Sequence, residues 1–382
     1  MIEVAGTVEE RFAPVAALFE RNLESGADLG ASVCVLHRGR PVVDLWGGWA
    51  DEARTQPWAP DTIVNVWSTT KTMTFLVALM LADRGELDLH APVARYWPEF
   101  AANGKGSIEV RHVLAHTAGL PGWSERLEPE QLADWDLCVE RLAAQEAWWE
   151  DRSRSGYHAV TQGYLIGEIV RRITGTTIGS FFAAEVAAPL GADFLIGVPE
   201  SAESRVSLVV PPDRDEMDDP LGTGGDAEAL AFARRALASS GPVEAAPRER
   251  WWRAAEIPAA NGHGNARSVA LVQSVITGRG ETNGVRLLSE AGVERLFEVQ
   301  AKGVDLILGL EMCFGMGYGL AGGLMPVGER AAWWAGLGGS IVICDLETEL
   351  TFAYAMNRMA DGRDGDFRGI ELALTAAACA AA

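Results

Sequence analysis

The sequence predicts an α/β (α+β) fold: one central antiparallel sheet built from both termini and flanked by helices, with a mainly helical region inserted. Three observations predict it. Strand-forming residues crowd the stretch "GASVCVLHRGRPVVDLWGGWAD" near the N-terminus. From about residue 86 to 290 the texture is helical, with periodic segments separated by Gly/Pro loops such as "TAGLPGW" and "APLGAD". From about residue 310 strand texture returns in "FGMGYGLAGG", "AAWWAGLGGSIVICDLET" and "ELTFAYAMNRM". One sheet shared by both ends is the economical way to bury these strands. The expected parts are 1–85 with 295–382 as an α/β domain and 86–294 as a mainly helical domain, with the active site between them.

Taken in order, residues 7–25 carry an amphipathic helical pattern through Val8, Phe12, Val15, Leu18, Phe19 and Leu23. A hairpin follows, with Val33, Val35, Val42, Val43 and Leu45 as strand formers and Arg38-Gly39 as its turn. "TQPWAPDT" is a loop. "VWSTTKTMTFLVALMLADRG" then reads as a helix ended by Gly85. Further helical patterns cover 130–147 and 161–174. The acidic stretch Asp213–Asp219 reads as a solvated loop, and residues 200–260 are candidates for the pocket entrance. Two Gly-rich strand segments suggest close backbone approach. "FRGIELALTAAACAAA" is a last helix.

The bulk properties narrow the function classes. The 382 residues include 48% hydrophobic ones, enough for a large core. A net charge of −21 disfavours nucleic acid and anionic lipid as partners. Five cysteines (Cys34, Cys138, Cys313, Cys344, Cys379) stand far apart without a CxxC, which suggests reduced, mostly buried thiols. The N-terminal "MIEVAGTVEERF" is acidic and lacks an apolar run, so no export signal is expected. No segment is long and apolar enough to suggest a membrane helix. The expectation is a cytoplasmic protein.

The chemistry starts at Ser68 and Lys71. Positions i and i+3 share a helix face. A serine hydroxyl is a poor nucleophile until a base takes its proton, and a lysine serves once burial lowers its pKa. A helix N-terminus favours negative charge developing at Ser68. An SxxK pattern alone is weak, because on most helices it is a solvated pair. Two facts raise it here. The chain has only three lysines, Lys71, Lys105 and Lys302, and the run Met73–Ala82 is almost wholly apolar. A bare ammonium there is costly without a role.

Other nucleophile and metal signals are weaker. No G-x-S-x-G elbow occurs, and "GLGGS" around Ser340 has the wrong spacing. His112 and His116 stand at i, i+4, but no glutamate of a zinc-protease helix and no third ligand accompanies them. They read as a helix end entering a tight turn, with His116 bonding the loop. No metal and no cofactor is expected.

Together these segments resemble the serine β-lactamase and penicillin-binding-protein superfamily. "WSTTKTM" is similar to its first motif. "VRHVLAHTAGLPG", "SGYHAVTQGYLIGEIVRRITG", "GHGNARSVALV" and "WWAGLGGSIVICD" resemble its later segments, in the same order, from about residue 8 to the end. Within the superfamily the sequence looks most like the class C-like carboxylesterases of family VIII. Class C β-lactamases carry Y-x-N where this chain has Tyr157-His158-Ala159, and K-T-G where it has Trp334-Ala335-Gly336.

The resemblance implies a β-lactamase-like fold and acyl transfer through Ser68, with Lys71 and Tyr157 moving the proton. Which of the two takes it stays open, and Lys71 as a cation would favour the Tyr157 phenolate. The oxyanion hole implied is the backbone N–H of Ser68 and of Leu337. Trp334, Gly336, Ala159 and Trp123 are the implied substrate-binding residues, with Gly336 where substrate and backbone meet. Ala159 offers no side-chain hydrogen bond and Trp334 no charge, which favours neutral short-acyl esters over β-lactams. The implied function is a serine carboxylesterase acting on a small-molecule ester. The alternatives are a β-lactamase, a D-amino-acid peptidase or amidase, an acyltransferase, or a non-catalytic binding member of the fold. Whether the chain forms a homo-oligomer stays open.

Overall fold

In a computed structural model, the structure describes residues 3–212, 227–360 and 367–382. The main sheet has nine strands: β1 (Val4–Val8), β2 (Gly30–His37), β3 (Arg40–Gly48), β4 (Ala301–Val304), β5 (Glu311–Phe314), β6 (Gly319–Leu320), β7 (Ala331–Ala335), β8 (Ile341–Asp345) and β9 (Leu350–Met356). Their order across the sheet is β1-β3-β2-β9-β8-β7-β6-β5-β4, antiparallel throughout. The two ends of the chain meet where β9 pairs with β2, Tyr354 facing Val33. The hairpin turn is Arg38 (φ 52°) and Gly39 (φ 71°), the left-handed pair whose twist matches that of the strands.

The N-terminal helix is shorter than its hydrophobic pattern. Val4–Val8 is a strand laid along β3, and the helix α1 runs only over Ala13–Ser25. Pro14 explains the start: it is tolerated in a first helical turn and unsuited to the interior. The C-terminal half of the sheet also begins earlier than its strand texture, at the short edge strand β4, where Lys302 and Gly303 dilute the β signal. The 130–147 pattern is two pieces, a 3₁₀ turn over Pro129–Ala133 and a helix over Trp135–Ala144. They break at Asp134, whose side chain caps the Leu137 N–H.

Helices cover both faces. On one, α1 packs with the last helix, α5 (Arg368–Ala381). On the other lies α4 (Ala266–Thr277), against β2, β8 and β9. The inserted region therefore lends a helix to the sheet. It also holds small strands: Phe194–Ile196, Val206–Ser207 and Gly262–Gly264 join Ile63–Asn65 in a four-stranded sheet. The helix α2 (Lys71–Asp83) is buried along its length from Lys71 to Ala82 and packs against α3 (Thr161–Thr174). It turns off at Gly85 (φ 76°). The stretch Asp213–Asp219 lies outside the described residues; the helix after it, Ala227–Leu237, packs near Tyr157 and Ile307. All five cysteines are buried and free.

Candidate active site

Ser68 sits on a 3₁₀ turn, Trp67–Thr70, that runs straight into α2, so Lys71 is the first residue of the α-helix. Trp67 has φ 48°, a costly conformation for a bulky residue. Neighbours hold the turn in it. Val66 N–H donates to Gly262 O (2.9 Å), and Gly262 N–H donates to Thr70 Oγ1 (2.8 Å). Ser340 Oγ donates to Val66 O (2.7 Å) and contacts Thr69 Oγ1 at 2.9 Å. Ser340 thus bolts the connection between β7 and β8 to the turn.

Around Ser68 Oγ stand two titratable groups. Lys71 Nζ is 3.1 Å away, and Tyr157 O–H donates from 2.7 Å. Lys71 Nζ also reaches two carbonyls, Ala159 O at 2.7 Å and Ala259 O at 3.0 Å. Lys71 is completely buried, and desolvation holds its pKa well below the usual lysine value. A neutral amine has two N–H bonds and one lone pair. In that form, with the two carbonyls taking the N–H groups, the lone pair would face the Ser68 hydroxyl. Its place is set by α2 for Lys71 and by the irregular segments that carry Ala159 and Ala259.

Burial also acts on the tyrosine, and bears on the choice between Lys71 and Tyr157 that the sequence leaves open. The Tyr157 pKa is pushed upward, chiefly by desolvation; its hydrogen bond with Ser68 only partly offsets this, and the charge of Asp305 adds to it. A phenolate paired with a lysine cation is therefore disfavoured. Desolvation favours the neutral form of each group, and the Nζ stands 4.8 Å from the phenol ring centre.

Trp334 forms the wall beside this pair. Its ring stacks on His116 (centroids 5.5 Å) and meets Phe75, Phe314 and Tyr157 at 5.5, 5.8 and 6.0 Å. His116, at φ 61°, accepts the His158 N–H at Nδ1 (3.1 Å), and its Nε2 lies 3.3 Å from the Gln162 amide. His112 instead accepts the Glu109 N–H at Nδ1, closing a capping box. The two imidazoles do structural work at a helix end and a loop.

The other predicted residues divide. Ala159 contributes its carbonyl to Lys71. Leu337, at the end of β7, is exposed, while its neighbour Gly336 packs against the turn. A Cβ on Gly336 would stand 2.4 Å from Val66 O, 2.3 Å from Ser340 Oγ and 3.1 Å from Trp67 Cβ. A close approach at Gly336 is thus one between this backbone and the Val66–Trp67 segment. Trp123 is not brought to this cluster: it is buried, donates to Cys138 O at 3.1 Å and packs on Tyr164. Ala259, Ser340, His116 and Asp305 take part unforeseen. Of these only His116 and Ser340 had attracted notice in the sequence, and for other roles.

Comparison with known proteins agrees with this layout. A family model described as "Beta-lactamase" matches residues 15–377. The chain belongs to the beta-lactamase family. It is 37% identical over 363 residues to "Esterase/beta-lactamase LipL" of Mycobacterium tuberculosis (strain ATCC 25618 / H37Rv), covering 93% of this chain and 83% of that relative. The crystal structure of a family VIII carboxylesterase superposes with TM-score 0.89 at 37% identity, covering 99% of this chain and 100% of the other. A penicillin-binding protein homologue from Caulobacter crescentus gives 0.88 at 35% identity, with coverage of 99% and 100%. This member of the beta-lactamase family is accordingly a serine hydrolase, and its likeness at family level is to ester hydrolases. No helix among the described residues is long and apolar enough to cross a membrane.

Proposed function

We propose that the protein is a serine carboxylesterase that hydrolyses small, short-acyl esters through an acyl-enzyme on Ser68. The observation that carries this is the Ser68 hydroxyl held between Lys71 Nζ (3.1 Å) and Tyr157 O–H (2.7 Å). As Ser68 Oγ attacks the ester carbonyl, its proton passes to neutral Lys71. Tyr157 protonates the departing alkoxide and recovers a proton from Lys71. Water then attacks the acyl-enzyme, losing its proton to the same pair, which returns it to Ser68 Oγ as the acyl–oxygen bond breaks and the acid leaves. The backbone N–H groups of Ser68 and Leu337 receive the oxyanion. The packing of Gly336 on Val66 and Trp67 supports that pairing, because it holds the end of β7 against the Ser68 turn.

The substrate preference rests on two absences of polarity. Ala159 has only its backbone carbonyl to offer, and that faces Lys71. Trp334 presents an apolar ring and no cation to hold a lactam carboxylate. The reaction consumes water and a small-molecule ester, in the cytoplasm, and needs no cofactor.

The deciding experiment combines turnover of p-nitrophenyl acetate and butyrate with active-site labelling by a phosphonate. The expected adduct is on Ser68, and Ser68→Ala is expected to lose both labelling and turnover. An adduct elsewhere, or an active Ser68→Ala, overturns the proposal. A second reading, β-lactam hydrolysis, is favoured by the name of the Mycobacterium tuberculosis relative. A chromogenic cephalosporin turned over faster than the esters would promote it.

A further inference from the structure

Tyr157 lies in irregular chain between the helices Trp135–Ala144 and Thr161–Thr174, so no helix or strand fixes its torsions. Its hydroxyl nevertheless stands 2.7 Å from Ser68 Oγ. Its aim comes from two loops that grip residues 155–158. On one side Gly156 N–H donates to His116 O (2.9 Å) and His158 N–H to His116 Nδ1 (3.1 Å). On the other, Leu306 N–H donates to Ser155 O (2.8 Å), and Tyr157 N–H donates to Asp305 Oδ1 (3.0 Å). Of these four bonds, only the last is made by Tyr157 itself.

Asp305 is built at a cost. It is 1% exposed, and its Oδ1 gathers three backbone N–H groups: Tyr157, Ile307 (2.9 Å) and Leu308 (3.0 Å). Its Oδ2 is buried and has no hydrogen-bond partner among the described residues. A buried carboxyl with one oxygen unpaired is unfavourable in itself. What the aspartate adds beyond closing its own loop is the bond across to Tyr157.

We infer that Asp305 is a positioning residue: its Oδ1 pins the Tyr157 backbone so that the phenol meets Ser68. The inference rests on the proposed roles of Ser68 and Tyr157. Loss of the pin lets the phenol drift, and a drift near 1 Å costs turnover by roughly 10–100-fold while leaving substrate binding in place.

The test compares Asp305→Asn, Asp305→Glu and Asp305→Ala on p-nitrophenyl butyrate, at a temperature where melting curves show each variant folded. Asparagine keeps the acceptor oxygen in place, and the amide replaces only the unpaired oxygen. Glutamate keeps the carboxyl chemistry but moves the oxygen by one methylene. Expected are kcat within about 3-fold of wild type for Asp305→Asn, and losses of about 10-fold or more for the other two with KM changed less than about 3-fold. Phosphonate labelling of Ser68 should slow in parallel with kcat. A folded Asp305→Glu or Asp305→Ala with wild-type kcat overturns the inference, as does an Asp305→Asn as impaired as Asp305→Ala. Should the alanine and glutamate variants fail to fold, a folded but impaired Asp305→Asn overturns it alone. Labelling of wild-type protein at Ser68, measured first, separates these outcomes from a failure of the proposed mechanism.

Discussion

Gly336→Ala tests the packing that joins the last strands to the Ser68 turn. The new Cβ would lie 2.4 Å from Val66 O, a backbone atom that no rotamer change can move. An unstrained C···O contact needs about 3.3 Å, so β7 and the Val66–Trp67 segment must part by about 0.9 Å. The Ser340 Oγ contact, at 2.3 Å, can relax by rotation, but that rotation breaks the bond Ser340 donates to Val66 O. Overpacking of this kind costs about 1–3 kcal/mol. The larger effect falls on turnover, because the displaced elements carry Ser68 and the Leu337 N–H, and a shift near 1 Å costs about 10²-fold. The assay is kcat on p-nitrophenyl butyrate beside the urea midpoint of unfolding. The double variant Gly336→Ala/Ser340→Ala removes one clash and keeps the other, so it should stay impaired. A Gly336→Ala protein with wild-type kcat and midpoint would show that the turn is not held by this contact.

Three further outcomes follow from the geometry. With Lys71 as base and Tyr157 as acid, kcat/KM should rise with pH through a Lys71 pKa well below 10.5 and fall only above pH 10, where the raised Tyr157 pKa lies. Lys71→Arg, permanently protonated, should lose about 10²-fold or more at every pH, and an active arginine variant would contradict the assignment. His116 and His158 are buried with pKa values held below 6.5, that of His158 at about 3, mainly by desolvation. Such depressed groups contribute stability that is full above pH 6.5 and is lost as pH falls. The unfolding free energy from urea titrations should therefore fall between pH 6.5 and 5, by on the order of 2–4 kcal/mol from these two groups, and a flat profile would refute this. Ala159→Asn supplies the amide that the site lacks, so the ratio of cephalosporin to ester kcat/KM should rise about 2–10-fold, one hydrogen bond's worth. An unchanged ratio would remove residue 159 from substrate choice.

Local signals carried far in this chain. The hairpin turn at Arg38-Gly39, the end of α2 at Gly85 and the helix Thr161–Thr174 were legible because glycines, polar loops and hydrophobic periods act over a few residues. The same locality misled at the N-terminus, where the hydrophobic spacing of 7–25 ran through the strand Val4–Val8. That strand exists because β3 is there to pair with it. Ser68 and Lys71 were legible for the same reason as the helices, since one helical turn relates them.

Tertiary structure decided what surrounds that pair. Ala259 stands 188 residues from Lys71 in sequence, Asp305 148 from Tyr157, and Ser340 274 from Val66. No local pattern marks an alanine as the holder of a catalytic-type amine through its carbonyl, or an aspartate as the anchor of a distant tyrosine. The ionisation of the site was likewise beyond the sequence. The sequence left open whether the lysine or the tyrosine takes the proton. Burial of both groups disfavours a charged pair, because removing water penalises charge on each, and only the packed fold determines how completely the water is removed.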